Sequence, residues 1–161
     1  PDIHAAMAHW TKTFGIGPFF LAEYKDAFTD VKYRGAPSPS VDFLRALSFS
    51  GDLQIEFIQP LSTAPNCYSD MYGAGEGGFH HICHWSHDFD ADTAHYEGLG
   101  FEAANSFAIA GLARIAYFDT RSAAGCMTEI VEHSPEVQAY FDEVQSVCAA
   151  WDGHTDPVRR E

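Results

Sequence analysis

The chain has 161 residues, which is enough for one compact domain or for two small modules that share a core. Its 46% apolar content, with 13 Phe, 7 Tyr and 3 Trp, supplies that core and argues against a disordered chain. Its formal net charge of −14, with nine Lys and Arg in total, argues against nucleic acid or an anionic membrane as partner, because phosphate groups are bound by clustered basic side chains.

The residue pattern in the first part of the chain predicts one helix followed by strands. Apolar residues at three- and four-residue intervals predict a helix over 2–14, with Asp2 as its N-cap and Gly15 at its end. The predicted strands cover 19–24, 31–34, 41–49 and 53–59. The last two of these strands are predicted to form a hairpin. Two prolines predict a loop over 35–40.

A linker containing a short helix over 66–72 leads into the second part of the chain. The residue pattern of this second part predicts strands and one helix in the order βαβββ, with a turn at 122–125 before the last strand. The five elements cover 79–85, 89–98, 101–107, 113–119 and 126–132. Ser134 and Pro135 predict the start of a C-terminal helix that ends near residue 151, and a loose tail is predicted over 155–161.

An internal repeat relates the two parts. The aligned segments are 2–10 with 88–96, and 51–58 with 125–131. In each copy a glutamate, Glu56 or Glu129, lies inside an apolar strand, and the repeat predicts two tandem βαβββ modules. The predicted organisation is a first module over 1–62, a linker over 63–78, a second module over 79–134, and a C-terminal helix and tail over 135–161. On this alignment the first strand of the first module is expected upstream of Pro1.

The stretch 77–85 follows a glycine-rich turn and contains three histidines among apolar residues. Successive side chains on a strand point to opposite faces, so His81 shares a face with Trp85, whereas His80 and His84 lie on the other face. A lone histidine near a strand start usually satisfies a local backbone group. The repeat, with its two glutamates, favours a ligand role for His81 instead.

These residues suggest a metal site. A carboxylate flanked by aliphatic residues on a strand is costly to bury unless it is paired or binds a metal, and exposure to solvent is the alternative for Glu56 and for Glu129. Glu56 and Glu129, together with His81 and an equivalent histidine expected upstream of Pro1, would form a set of two histidines and two carboxylates. Such ligands suit Zn, Mn, Co, Ni or Fe(II), and the sequence does not choose among these metals. His133 is predicted to lie at the rim.

Several of these motifs, in this order, resemble the vicinal oxygen chelate superfamily, and within it the glyoxalase-like branch that includes glyoxalase I and methylmalonyl-CoA epimerase. The segments that carry the resemblance are 1–10, 14–20, 51–56, 77–82, 116–120 and 125–129. It implies an α+β fold in which two tandem βαβββ modules form a curled mixed sheet around a cleft, with the C-terminal helix as an addition. It also implies a divalent metal held by His81, Glu129 and Glu56.

The resemblance further implies an isomerase, epimerase or lyase that acts on a carbon acid. The metal would polarise a carbonyl and stabilise an enolate, and Glu56 or Glu129 would move the proton. Trp85, Tyr117 and Phe43 would contact a small-molecule substrate, with simple core packing as the alternative for each. A homodimer is expected.

Two other functions stay open at this point. One is an Fe(II) ring-cleaving dioxygenase, which needs two histidines and one carboxylate. The other is a metal-free module that binds a planar compound, as resistance members of the superfamily do. The latter gains weight because the arginines that could bind a substrate anion are dispersed in sequence. These arginines are Arg34, Arg45, Arg114 and Arg121.

The cysteines and the hydropathy bear on the compartment. No segment approaches the roughly 18 to 20 apolar residues that span a membrane. The four cysteines show no CxxC spacing, so they predict reduced thiols of a cytoplasmic protein rather than a disulfide framework or a zinc cage.

Overall fold

The computed structural model describes residues 2–161 and has a mixed α+β fold. Its helices are α1 (Ile3–Phe14), α2 (Cys67–Met71), α3 (Phe89–Gly98), α4 (Arg121–Ala124) and α5 (Pro135–Ala149). Its strands are β1 (Phe19–Tyr24), β2 (Thr29–Tyr33), β3 (Ala36–Pro37), β4 (Phe43–Ser50), β5 (Leu53–Pro60), β6 (His81–Ser86), β7 (Ala103–Ile109), β8 (Ala113–Phe118), β9 (Met127–Glu132) and β10 (Val158–Arg160). Among these residues, no helix is both long enough and apolar enough to span a membrane.

The elements divide into two compact units, each with its own sheet. The first unit contains the residues up to Lys25 together with Asp42–Ser62 and Gln138–Glu161. Its sheet has the strand order β10-β1-β4-β5. The second unit contains Asp26–Val41 and Thr63–Val137, and its sheet has the order β3-β2-β7-β8-β9-β6.

Helix α1 packs on one face of the first unit's sheet. It buries Ile3 and Met7 in the core there. The Asp2 carboxylate accepts hydrogen bonds from two backbone N–H groups of the first turn, and Gly15 ends the helix with a left-handed φ of 68°. The predicted helix over 2–14 is confirmed.

Strands β4 and β5 form the predicted hairpin. Leu47 lies opposite Glu56, and Arg45 lies opposite Ile58. Directly opposed residues share a face, so Arg45 and Glu56 are on the same face of this sheet. The other face carries Ala46, which packs in the core with α1.

The second unit contains β6, α3, β7, β8 and β9 in the predicted βαβββ order. Strand β6 runs parallel to β9, while β8 pairs antiparallel with both β7 and β9. Ala116, Phe118 and Ile130 form a buried cluster on one face, and Phe89 and Tyr96 of α3 pack against it. The opposite face of β6 and β9 is not used for packing on α3.

Three local predictions are wrong. The predicted loop over 35–40 contains β3, which pairs with β2; Pro37 is tolerated because β3 is the edge strand of its sheet. The predicted turn at 122–125 is the short helix α4, which Gly125 ends with a φ of 75°. The predicted loose tail contains β10, which pairs in parallel with β1, and the N–H of Phe19 donates to the carbonyl of Pro157 over 2.9 Å.

Candidate functional site

The pairing of β6 and β9 places His81 beside Glu129. Cys83 lies opposite Glu129, and His81 lies opposite Met127. On the other side of β9, Tyr117 of β8 lies opposite Glu129. Because opposed residues share a face, His81, Cys83, Glu129 and Tyr117 are all on the sheet face that does not pack on α3.

His81 and Glu129 form a close and nearly buried pair. His81 Nε2 lies 3.2 Å from Glu129 Oε2, and the two side chains are 11% and 9% exposed. The carboxylate also accepts hydrogen bonds from the Tyr117 hydroxyl and the Cys83 thiol. Burial on its own would raise the pKa of Glu129, but His81 and these two donors outweigh it, so the pKa lies below its usual value. Glu129 is therefore ionised at neutral pH.

His80 has hydrogen-bond partners on both ring nitrogens. Its Nε2 lies 3.1 Å from the carbonyl oxygen of Cys67, which can only accept, so this nitrogen carries a proton. Burial lowers the pKa of His80 to about 4, so the ring is neutral at pH 7 and Nδ1 is unprotonated. This Nδ1 lies 3.0 Å from Nδ1 of His81. The His81 Nδ1–H therefore donates to His80.

The prediction that His80 lies on the face opposite His81 is wrong. Strand β6 begins at His81, so the alternation of side chains does not extend back to His80. His80 instead fixes the tautomer of its neighbour, as a hydrogen-bond partner behind a metal-binding histidine commonly does.

This tautomer determines what His81 and Glu129 can bind. With its Nδ1–H directed to His80, His81 presents Nε2 to the ionised Glu129 carboxylate over 3.2 Å. Either a proton on Nε2, which makes the two side chains an ion pair, or a metal cation can occupy the space between this nitrogen and the carboxylate. Two ligand atoms that each lie about 2.1 Å from a zinc-like ion, at a tetrahedral or octahedral angle, are about 3.0 to 3.4 Å apart. The pair therefore fits a divalent metal in both ligand type and spacing.

The other predicted site residues are distributed over both units. Glu56 is half-buried on β5 of the first unit, and Phe43 is buried on β4 of that unit. Trp85 is half-buried on the same face as the histidine–glutamate pair, and its ring contacts His133. Tyr117 is almost fully buried and bonded to the carboxylate of the pair. Of the three residues predicted for substrate binding, Trp85 is the most accessible.

Two residues that support the Glu129 carboxylate, Cys83 and Tyr68, are not among the site residues that the sequence predicts. The alternation of the predicted strand places Cys83 on the His81 face, but the sequence gives it no role at the site. Tyr68, on α2, donates to the Tyr117 hydroxyl over 3.2 Å and so supports the donor to Glu129. No local pattern marks Tyr68, because it contacts a residue 49 positions away.

The structure brings two of the dispersed arginines together. Arg34 and Arg121 line a shallow cavity of about 580 Å³ in the second unit. Arg34 pairs with Asp70, Asp119 and Glu102, and Arg121 pairs with Asp119. These carboxylates neutralise both guanidinium groups, so the cavity is not an anion-binding site.

Asp119 is expected to stabilise the fold in a pH-dependent way. Hydrogen bonds from Arg121, and then from Arg34, lower the pKa of Asp119 to about 2 against the opposing effect of burial. In an unfolded chain this pKa is about 3.9, so the stabilisation is complete above about pH 4 and is lost as the pH falls toward 2. Asp119→Asn should lower the free energy of unfolding by about 1 to 2 kcal/mol at pH 7 and by little near pH 2.

Urea unfolding at pH 7, 4 and 2.5 measures this dependence. Asp90→Asn is the matched control, because Asp90 also pairs with an arginine but its side chain is 83% exposed. A difference between wild type and Asp119→Asn that stayed constant over this pH range would contradict the prediction.

A known protein family matches the greater part of this chain. The model of the glyoxalase/bleomycin resistance protein/dioxygenase superfamily matches residues 1–118. A search of curated protein sequences gave no match.

Solved structures resemble this chain at low sequence identity. A hypothetical protein, BH1468, from Bacillus halodurans C-125 is 19% identical, with a TM-score of 0.55, over 83% of this chain and 87% of that one. A methylmalonyl-CoA epimerase from Mycobacterium tuberculosis is 17% identical, with a TM-score of 0.52, over 86% and 85%. A Streptomyces coelicolor methylmalonyl-CoA epimerase in complex with 2-nitronate-propionyl-CoA is 16% identical, with a TM-score of 0.54, over 83% and 88%. At these identities the likeness shows the fold alone.

Proposed function

Because the chain belongs to the glyoxalase/bleomycin resistance protein/dioxygenase superfamily, we propose that it is a metal-dependent isomerase or epimerase that acts on a carbon acid. The observation that carries the proposal is the His81–Glu129 pair. An imidazole nitrogen and the oxygen of an ionised, buried carboxylate that lie 3.2 Å apart can serve together as metal ligands.

Glu56 is proposed as the third ligand. The support comes from the internal repeat, in which Glu56 corresponds to Glu129 inside a matching strand. Glu56 is half-buried on β5, where a carboxylate is costly unless it has a partner of opposite charge. Arg45, on the same sheet face, supplies part of this charge, and a metal cation would add to it.

The two glutamates would have different roles. Glu129 is kept ionised by His81, Tyr117 and Cys83, which suits a permanent ligand and makes it a weak base. Glu56 is therefore assigned the proton transfer at the carbon next to the substrate carbonyl. When bound, the metal would polarise that carbonyl and lower the cost of removing the neighbouring proton.

The chain's own residues would prepare the site for this step. His80 holds the His81 ring in the tautomer that offers Nε2, and Tyr68 supports the Tyr117 hydroxyl that donates to Glu129. Trp85, on the same face, would cover the substrate and exclude water. Phe43 and Tyr117 are buried, so their proposed contribution is to shape the wall of the site.

The substrate class is proposed from the solved neighbours. Two of them are methylmalonyl-CoA epimerases, one of them in complex with 2-nitronate-propionyl-CoA. We propose an acidic C–H beside a thioester or ketone carbonyl as the reacting group. A homodimer is proposed because members of the superfamily often form dimers. A reducing compartment such as the cytoplasm is proposed because the four cysteines are free thiols.

Proton exchange at carbon tests this function directly. The protein would be loaded in turn with Zn, Mn, Co, Ni and Fe(II). For each form, NMR in D2O would measure how fast the α-proton of methylmalonyl-CoA and of related thioesters exchanges with solvent deuterium. At least one metal is expected to support exchange, and Glu56→Gln should slow it about 100-fold or more, because general-base catalysis typically contributes that much. Glu23→Gln is the matched control, since Glu23 is an exposed strand glutamate on the opposite face of the same sheet.

The other outcomes identify the competing functions. Oxygen consumption with a catechol in the Fe(II) form, without exchange in any form, would identify a dioxygenase. Binding of planar compounds by the metal-free protein, again without exchange, would identify a binding module. Exchange that is equally fast in Glu56→Gln would remove Glu56 from the proposed mechanism.

A further inference from the structure

Arg45 is a buried cation in the first unit. Its side chain is 13% exposed, and the rings of Tyr24 and Tyr140 lie 5.2 and 5.4 Å from its guanidinium carbon. Arg45 Nη2 donates to the Tyr140 hydroxyl over 2.6 Å and to Glu161 Oε2 over 3.0 Å. A buried guanidinium is costly unless an anion pairs with it, and the Glu161 carboxylate provides that pairing here.

This pairing leaves one donor unused. Nε of Arg45 is buried and has no hydrogen-bond acceptor among residues 2–161. Arginine and a carboxylate commonly form two parallel hydrogen bonds, but Glu161 contacts the guanidinium through Oε2 alone. Its other oxygen accepts a hydrogen bond from the Tyr140 hydroxyl. A carboxylate that bonded to both Nε and Nη2 would satisfy Arg45 better than Glu161 does.

Glu161 is held by a short segment. It follows β10, which pairs with β1 over three residues, and its N–H donates to the carbonyl of Leu21 over 3.1 Å. Its side chain is 26% exposed, so water reaches this carboxylate more easily than it reaches Arg45. An edge strand of this length opens at low cost, and the Glu161 side chain can leave the arginine by rotating into solvent.

We infer that Arg45, Tyr24 and Tyr140 form a binding subsite for the carboxylate group of a small-molecule ligand, and that the Glu161 side chain fills this subsite until the ligand displaces it. Arg45 lies on the same sheet face as Glu56, to which proton transfer is assigned above. The inference therefore deepens the proposed function and rests on it: the carbon acid would carry a carboxylate, which Arg45 would bind near the reacting carbon.

NMR titration of the metal-free protein with propionate tests the subsite. The protein would be stripped with a chelator and desalted, and the side-chain Nε–H signal of Arg45 followed as propionate is added. Propionate is expected to shift this signal, and neutral propionamide is not. Glu161→Ala should tighten the apparent propionate Kd about tenfold or more, because it removes a competitor attached to the chain.

The controls separate the subsite from general charge effects. Glu143→Ala, at an exposed position on α5, should leave the propionate Kd unchanged. Arg45→Met should abolish the response. An unchanged Kd in Glu161→Ala would overturn the inference, and this result is readable even if Arg45→Met fails to fold, because Glu161 is not a core residue. The titration needs no metal and no turnover, so its failure is distinguishable from failure of the proposed function.

Discussion

Replacing His81 by Ala, or Glu129 by Gln, is expected to reduce the divalent metal bound per chain at least tenfold. The reason is the pair geometry, in which His81 Nε2 and Glu129 Oε2 lie 3.2 Å apart, a spacing that suits two ligands of one metal ion. Loss of a hydrogen-bond partner behind a ligand commonly costs 10- to 100-fold in metal affinity, and loss of a ligand itself costs at least as much. Elemental analysis of protein purified without chelator, together with zinc titration of stripped protein, measures the effect.

His84→Ala is the control for this experiment. His84 is on the same strand, but it lies on the opposite face and its Nε2 contacts the Tyr96 hydroxyl over 2.9 Å. It should keep the metal content of the wild type. Equal metal content in His81→Ala, Glu129→Gln and the wild type would show that the pair is held by a proton rather than by a metal, and the metal-dependent function would fall with it.

Phe118→Ala is expected to lower the free energy of unfolding by about 3 to 5 kcal/mol, the range found when a buried aromatic side chain is removed. Phe118 is fully buried in the second unit and stacks on Tyr96, with ring centroids 4.6 Å apart. Its removal leaves a cavity between β8 and α3 that neighbouring side chains fill only in part. Urea unfolding monitored by circular dichroism gives the difference.

Phe79→Ala is the matched control, since Phe79 is the same residue type in the same unit but is 67% exposed. It should change the free energy of unfolding by no more than about 0.5 kcal/mol. A loss in Phe118→Ala as small as in the control would mean that the α3 cluster is not a principal source of stability in this unit.

The agreement between sequence and structure is greatest where one element can be recognised alone. Helix α1 has its cap at Asp2 and its stop at Gly15 within a single local pattern. The alternation along β6 correctly predicts that His81 shares a face with Trp85. The internal repeat then related Glu56 to Glu129 without any knowledge of the fold.

The disagreements lie where the outcome depends on a distant partner. His80 was assigned to the wrong face because the first residue of β6 is decided by pairing with β9, and alternation has no meaning before that residue. Strand β10 was missed because three residues carry no clear pattern, and it forms only where β1 offers an open edge.

By itself the sequence determined the periodic elements, the βαβββ order of the second module and the residue types of the candidate metal site, because side-chain periodicity and ligand chemistry are local properties. Only the tertiary structure decided the tautomer of His81 and the contact of Arg45 with Glu161, which are 116 residues apart. Such contacts depend on which strand edges meet, and pairing between strands is a non-local choice that a single segment does not encode.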